Sequence, residues 1–442
     1  MKILMRFIII GGLLIVLLVP LMMIMGVIEG RERYRNQAIT RVAQSYANDQ
    51  LLTGPVRVLP WTQQYRNETT DAKGQVKTEI LTREGYELHM PARLRVEGQL
   101  QPDERRIGLF SVPVYRLQAR LRAEFDEADY PAKEGRSYGQ PYLALGIKDV
   151  RGLVGTPFLR VDDQNTPLQA GTGVLHEFSR GGLRAALPAL DNEQHGTLSA
   201  GSVVELELVL GGTHKLAIVP LADDTQVSLH SSWPHPLFGG SFLPVERQIS
   251  KNGFEAHWAI SSLASTAQAQ LLANLKMATS SVEVLDVQLS TPVDVYTQTG
   301  RAAKYGILFI LLTFVGFALF ELVKQLRIHP LQYLMVGLAL TLFFLLLLSL
   351  SEHISFWQAY IVSSVACIGL QGFYLSGVLN DTKQGLAFSA ILSALYGVLY
   401  VILISESNAL LMGTLLLFGI LTAIMWITRK VDWYNAGFNY TK

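Results

Sequence analysis

Hydrophobic positions follow different periods along this chain. From Phe7 to Ile28 they are continuous, a run without a charge, and about 20 mainly apolar residues suffice to cross ~30 Å of hydrocarbon. Five more runs have spanning length: Tyr305 to Val323, Pro330 to Ser351, Ile354 to Asn380, Gln384 to Ser405 and Ser407 to Thr428. Just past the first run, Ile39, Val42, Ala43 and Tyr46 fall at i, i+3, i+4 and i+7, which predicts that its helix continues. Beyond it the period becomes two. Leu117, Ala119, Leu121, Ala123 and Phe125 alternate with Gln118, Arg120, Arg122 and Glu124, as a half-buried strand requires. Val204, Leu206, Leu208 and Leu210 alternate likewise, and Gly211-Gly212 then predicts a tight hairpin turn before Leu216 to Pro220. Ser261 to Thr279, rich in Ala, Gln and Ser, reads as a surface helix or a loop.

The expected architecture is a membrane protein of six transmembrane α-helices with a large, mainly antiparallel β domain, in the periplasm or at the cell exterior, between helices 1 and 2. Its boundaries are 1–28 for the cytoplasmic N-terminus and an uncleaved anchor, 29–304 for the domain, 305–428 for a five-helix bundle and 429–442 for a cytoplasmic tail. The anchor reading rests on the length of the first run, which exceeds a signal peptide's, and on an exit at Met25 to Glu29 without an Ala-x-Ala site.

Charge supports this division. Of 36 acidic and 37 basic residues, 31 and 29 lie between Glu29 and Lys304, leaving that block near neutral with mixed signs. Such a surface lacks the basic patch that phosphates need, so nucleic acid is not an expected partner. Orientation follows from short loops: with both termini cytoplasmic, Lys2, Arg6, Lys324, Arg327, Lys383, Arg429, Lys430 and Lys442 share the inner side.

Candidate chemistry is sparse. Cys367 is the single cysteine, so no intramolecular disulfide or cysteine cluster can form. His176-Glu177 starts like a zinc-protease motif, but Arg180 stands where the second ligand is needed. Asp162-Asp163 and Asp223-Asp224 read as solvated turns rather than calcium sites. No catalytic, cofactor or metal residue is assigned, and no enzyme activity is expected. Within the spans, Gly372 with Ser376, Ala390 with Ala394, and Gly419 with Ala423 could bring helices together, in the bundle or in a homo-oligomer. Ser363, Ser364 and Gln371 could hydrogen-bond between helices. A packed bundle is the favoured reading; the alternative, a transporter or flippase-like carrier of an amphipathic envelope component, would need a polar cavity lined by Gln371, Ser363 and Ser389. Glu352, His353 and Glu406 could form a polar cluster on the outer surface.

The densest unusual stretch runs from Ser232 to Pro244 and closes with Gly253 to Trp258. Prolines stiffen it and glycines allow close turns, so its aromatic rings either pack into the β core, the favoured reading, or face a partner or the bilayer, with Trp233, Pro234, His235, Pro236, Phe238 and Phe242 as the candidate contacts for an envelope protein or lipid. Trp258, in the alternating run Phe254, Ala256, Trp258, Ile260, is expected in the core. This stretch also resembles a family. Trp-Pro-His-Pro-x-Phe at 233–238, Phe-Leu-Pro at 242–244 and Gly-Phe-x-Ala-His-Trp at 253–258 are similar to the inner membrane protein CreD family, also described as cell envelope integrity or colicin-tolerance proteins. Arg105 to Gly108, Asp294 to Tyr305, His329 to Leu334, Leu350 to His353 and Asp432 to Tyr434 agree. The resemblance implies a Gram-negative inner-membrane protein linked to envelope integrity and to envelope-stress and β-lactam responses. It implies no catalytic residue.

Overall fold

The computed structural model describes residues 2–70, 76–177, 179–199, 201–277, 282–290, 295–324, 329–379, 382–404 and 409–429. The chain forms two compact units, one of Met1–Asn36 with Val293–Lys442 and one of Gln37–Pro292.

The first unit is helical. Helix α1 covers Lys2–Ser45, so the apolar run and its expected continuation are one helix. At 1.5 Å per residue it is about 66 Å long, more than a hydrocarbon core needs. The later helices, numbered after the short α2 (Ala267–Met277), are α3 (Val295–Lys324), α4 (Pro330–Ser351), α5 (Phe356–Leu379), α6 (Thr382–Ile404) and α7 (Ala409–Thr428). Among the described residues, five helices are long and apolar enough to cross a membrane: α1, α3, α4, α5 and α6. The sixth expected span falls on α7, whose described apolar stretch, Leu411–Thr422, is shorter than a crossing. Helix α3 starts before the apolar run at Tyr305.

Missing side chains let these helices approach. A Cβ on Gly337 would strike Leu17 of α1, and one on Gly372 would strike the Ser389 hydroxyl of α6. Edge-on aromatic pairs fill the rest, with Tyr396 4.7 Å from Phe309 and 4.8 Å from Phe343. The motif at His329 is a helix start: the Leu331 N–H donates to His329 Nδ1, and Gln332 accepts from the His329 N–H. Tyr333 donates to Glu321 at 2.8 Å.

The second unit is a β domain of two large sheets, with a separate two-stranded pair of Ala128–Tyr130 and Gly196–Leu198. Its main strands are β1 (Gln50–Thr70), β2 (Val76–His89), β3 (Arg93–Ile107), β4 (Phe110–Glu124), β5 (Tyr142–Ile147), β6 (Phe158–Val161) and β7 (Val203–Thr213). There follow β8 (Lys215–Val219), β9 (Asp224–Ser231), β10 (Pro236–Gly240), β11 (Glu246–Ser250), β12 (Gly253–Ser261) and β13 (Leu285–Leu289). One sheet carries β5, β1, β8, β13 and β10 in that order, and the other carries β11, β12, β9, β3, β4, β7 and β6. Pairing is antiparallel except for β1 with β8 and β9 with β3, so the sheets are mixed. Leu117 and Leu121 of one sheet share a core with Leu145, Leu216 and Val287 of the other, as in a sandwich. The expected alternations hold along β4 and β7. Within the expected stretch, Ala267–Met277 forms the helix α2, with Ala267 and Leu271 buried and Glu283 accepting hydrogen bonds from Thr266 and Ser265 before its first turn, and 278–279 lie outside the described residues.

The expected hairpin at Gly211-Gly212 is not formed. Both glycines continue β7, opposite Arg116 and Tyr115, and the chain turns at His214 (φ 61°) to enter the other sheet as β8. The glycines serve close approach instead of a positive φ: a Cβ would collide with the Tyr46 ring at Gly211 and with the Tyr115 ring at Gly212.

This crossing meets the end of α1 at Asp149. The Asn48 N–H and side-chain amide donate to its carboxylate at 2.9 and 2.8 Å, and the Arg151 guanidinium at 2.9 and 2.5 Å. Gln50 donates to the Asp149 and Gly211 carbonyls, Thr213 to the Ala47 carbonyl and Arg151 to the Gln44 carbonyl. Val42 packs with Val112 and Val114 beside this network, with Ile39 and Tyr46 against them. Bonding to Arg151, and then to Asn48, holds the buried Asp149 carboxyl well below the usual carboxylate range. A carboxylate depressed in the folded state stabilises above its unfolded pKa, about 3.9, and that contribution fades as pH falls below it. Asp149→Asn should therefore lower the melting temperature of the full chain most above about pH 4, by the equivalent of about 3 kcal/mol. The gap to wild type should shrink under acid. A gap that is flat with pH would remove the charge from this account.

Candidate functional site

The Trp233 stretch is stapled to β13. The Trp233 indole N–H donates to the Ser290 and His235 carbonyls at 3.0 and 3.2 Å, and β10 pairs with β13 along its whole length. Gly239 lies opposite Asp286, and its missing Cβ leaves room for that buried carboxylate, which Lys215 meets at 2.7 Å.

The rings point inward. Phe238 is buried, edge-on to Phe254 at 5.5 Å and to Trp258 at 5.6 Å. Trp258 is fully buried as expected, and its N–H donates to the Phe242 carbonyl. Trp233 and Phe242 are half-buried against the same core, Pro234 and Pro236 are half-buried, and His235 is exposed. Of the six candidate contacts, Phe238 thus lies inside the fold.

What the stretch presents is aliphatic. Leu237, Leu243, Val245 and Ile249 are 54%, 62%, 69% and 51% exposed. Leu237 alternates with buried Phe238 and so takes the outward face of β10, whereas Ile249 is exposed by an overhang. β10 and β11 are edge strands of opposite sheets, and the Phe238 rings place β10 over β12, so β11 lies one strand beyond its cover. Ile249 pairs with buried Phe254 and shares its face, yet nothing described lies over it. An open edge with uncovered apolar residues is a site for strand or surface contact.

Of the expected polar cluster, Glu352 is placed with partners from two other helices. Glu352 caps α4, and its shielded carboxylate pairs with Arg31 Nε at 3.2 Å and accepts from the Tyr296 hydroxyl at 3.2 Å. His353 is exposed and Glu406 lies outside the described residues. The sequence reading missed Arg31 and Tyr296.

In the bundle, Ser363, Ser364 and Gln371 are buried on α5, and Ser389 of α6 meets Gly372. Ser363 Oγ and Gln371 Oε1 have no hydrogen-bond partner among the described residues. The neighbouring groove of about 410 Å³ between α4 and α5 is lined by Leu342, Phe343, Leu346, Cys367 and Leu370 and is apolar. Gly372 and Ser376 are used in α5–α6 packing, whereas Ala390, Ala394 and Gly419 stay exposed.

Other motifs have structural uses. Asp162 accepts from the Gly201 and Val203 N–H groups, and Asp223 accepts from Gln268. Among the described residues no three His, Cys, Asp or Glu are grouped to hold a metal ion.

The two tryptophans should separate on substitution. Trp258→Ala empties a fully buried site and should cost about 3–5 kcal/mol, removing the protein from the membrane. Trp233→Phe keeps the ring and loses the N–H staple, costing about 1 kcal/mol. Immunoblots of membrane fractions and melting curves check both; normal abundance of Trp258→Ala would contradict the core assignment.

Two solved structures overlap 45% of this chain, a zinc metallopeptidase from Deinococcus radiodurans and a point variant of it. They are covered to 41% and 42%, with TM-scores of 0.22 and 0.21 and 8% identity. The inner membrane protein CreD of Escherichia coli (strain K12) is 34% identical over 425 residues, which is 96% of this chain and 92% of that protein. The family profile described as inner membrane protein CreD matches residues 2–434. Matched over nearly its whole length in both comparisons, the chain belongs to the CreD family of inner membrane proteins.

Proposed function

We propose that the protein is a non-enzymatic, multi-pass inner-membrane component that maintains the cell envelope, with its β domain in the periplasm touching an envelope protein or lipid. The observation that carries this reading is the aliphatic edge, Leu237, Leu243, Val245 and Ile249. Monomeric soluble domains seldom leave such residues together on an open edge unless something covers them. Six spans, with α7 as the last and both termini cytoplasmic, fit the basic residues of the short loops. The exposed Ala390, Ala394 and Gly419 offer small-residue faces for a second copy. A carrier reading has one point in its favour, the unpartnered Ser363 and Gln371 oxygens, but the groove beside them is apolar.

Two measurements test this function. Reporter fusions after Lys383 and Lys442 should behave as cytoplasmic and one after Gln50 as periplasmic; a periplasmic signal at Lys442 removes the topology. Leu243→Ser with Val245→Ser should leave abundance near wild type, since exposed substitutions usually change stability by about 0.5 kcal/mol or less. The same pair should sensitise cells to detergent. Wild-type resistance with normal abundance would remove the edge as the contact.

A further inference from the structure

The outward face of the sheet that carries β9, β3, β4, β7 and β6 holds two cross-strand rows rich in side chains that donate or accept hydrogen bonds. In one row Ser228 is registered with Glu97, Glu97 with Arg120, Arg120 with Glu207, and Glu207 with Phe158. The neighbouring row, two residues along each strand, runs His230, Gln99, Gln118 and Val209. Between the rows opens a depression of about 480 Å³, floored by Gly98, Ala119 and Leu208 and walled by Val154, Thr156 and Phe158.

A polar sheet face is solvated by default. What departs from that here is the rim: Phe158 and Val154 are each 45% exposed beside the polar rows. Charge then narrows the ligand. Arg120 bonds Glu207 at 2.7 Å and has Glu97 at its other side, so the depression itself presents both signs, and the more basic neighbouring row, Arg95, Arg122 and Arg160 around Glu205, lies outside its lining. The carboxylates accept, the guanidinium donates, and the Gln99 and Gln118 amides do both, which suits adjacent hydroxyls that each donate and accept. An exposed phenyl ring offers a face to the C–H side of a pyranose. The volume lies within the usual range for small-ligand sites.

The geometry points to a neutral glycan, at the scale of a disaccharide, bound across β9, β3, β4, β7 and β6. This deepens the reading of the domain as an envelope contact and rests on its periplasmic placement for access to glycans. Binding by purified protein does not depend on that placement, so the two can fail separately.

The test titrates the full-length protein, in a detergent without a sugar headgroup, with N,N′-diacetylchitobiose, cellobiose and maltose, followed by saturation-transfer NMR and calorimetry. At least one disaccharide should bind saturably. Phe158→Ala and Gln118→Ala should each weaken it about tenfold with an unchanged melting temperature, while Leu243→Ser should leave it alone. No saturable binding, binding indifferent to both row variants, or tighter binding of an anionic polysaccharide such as heparin would overturn the proposal.

Discussion

The Asp149 carboxylate gathers five donors at the place where a helix becomes a strand and where the chain changes sheets, and the rest of the domain is arranged around that meeting. Asn48 brings the exit of α1 to it, Gln50 brings the start of β1, and through the Gly211 carbonyl Gln50 also reaches the β7–β8 crossing. A buried carboxylate is tolerated only when its lone pairs are filled, and here Arg151 and Asn48 fill them. The glycines of β7 follow from the same constraint. The hydroxyl ends of Tyr46 and Tyr115 come up against β7, and Gly211 and Gly212 leave the room for them.

The division between apolar spans and a β block was legible because bilayer length and period two leave strong marks in composition. The pair Gly211-Gly212 was not, because one residue type serves two purposes: adjacent glycines permit a hairpin, and they also permit two tyrosine rings to lie on a strand. Helix α2 was ambiguous in sequence because Ala, Gln and Ser favour neither outcome strongly, and the carboxylate of Glu283, which meets Thr266 before the helix, lies beyond the stretch itself. Arg31 and Tyr296 could not be read as partners of Glu352, since the pairing joins three helices that are distant along the chain.

The candidate site shows the same limit. The Pro- and aromatic-rich stretch is unusual in sequence, but its aromatic rings mostly serve the core while its aliphatic residues face out. Which class faces out depends on β11 overhanging β10, and that depends on two sheets whose edge strands lie on the same side. No local pattern encodes it.

The central functional claim, that this overhanging edge meets an envelope component, is tested most directly by photo-crosslinking in intact cells. A crosslinking residue placed at Leu243 or Val245 should yield one defined adduct, a protein or a lipid, and the same residue at the outward, non-edge position Gln226 should not. Equal adducts from all three positions, or none from Leu243 and Val245 at normal abundance, would contradict the account.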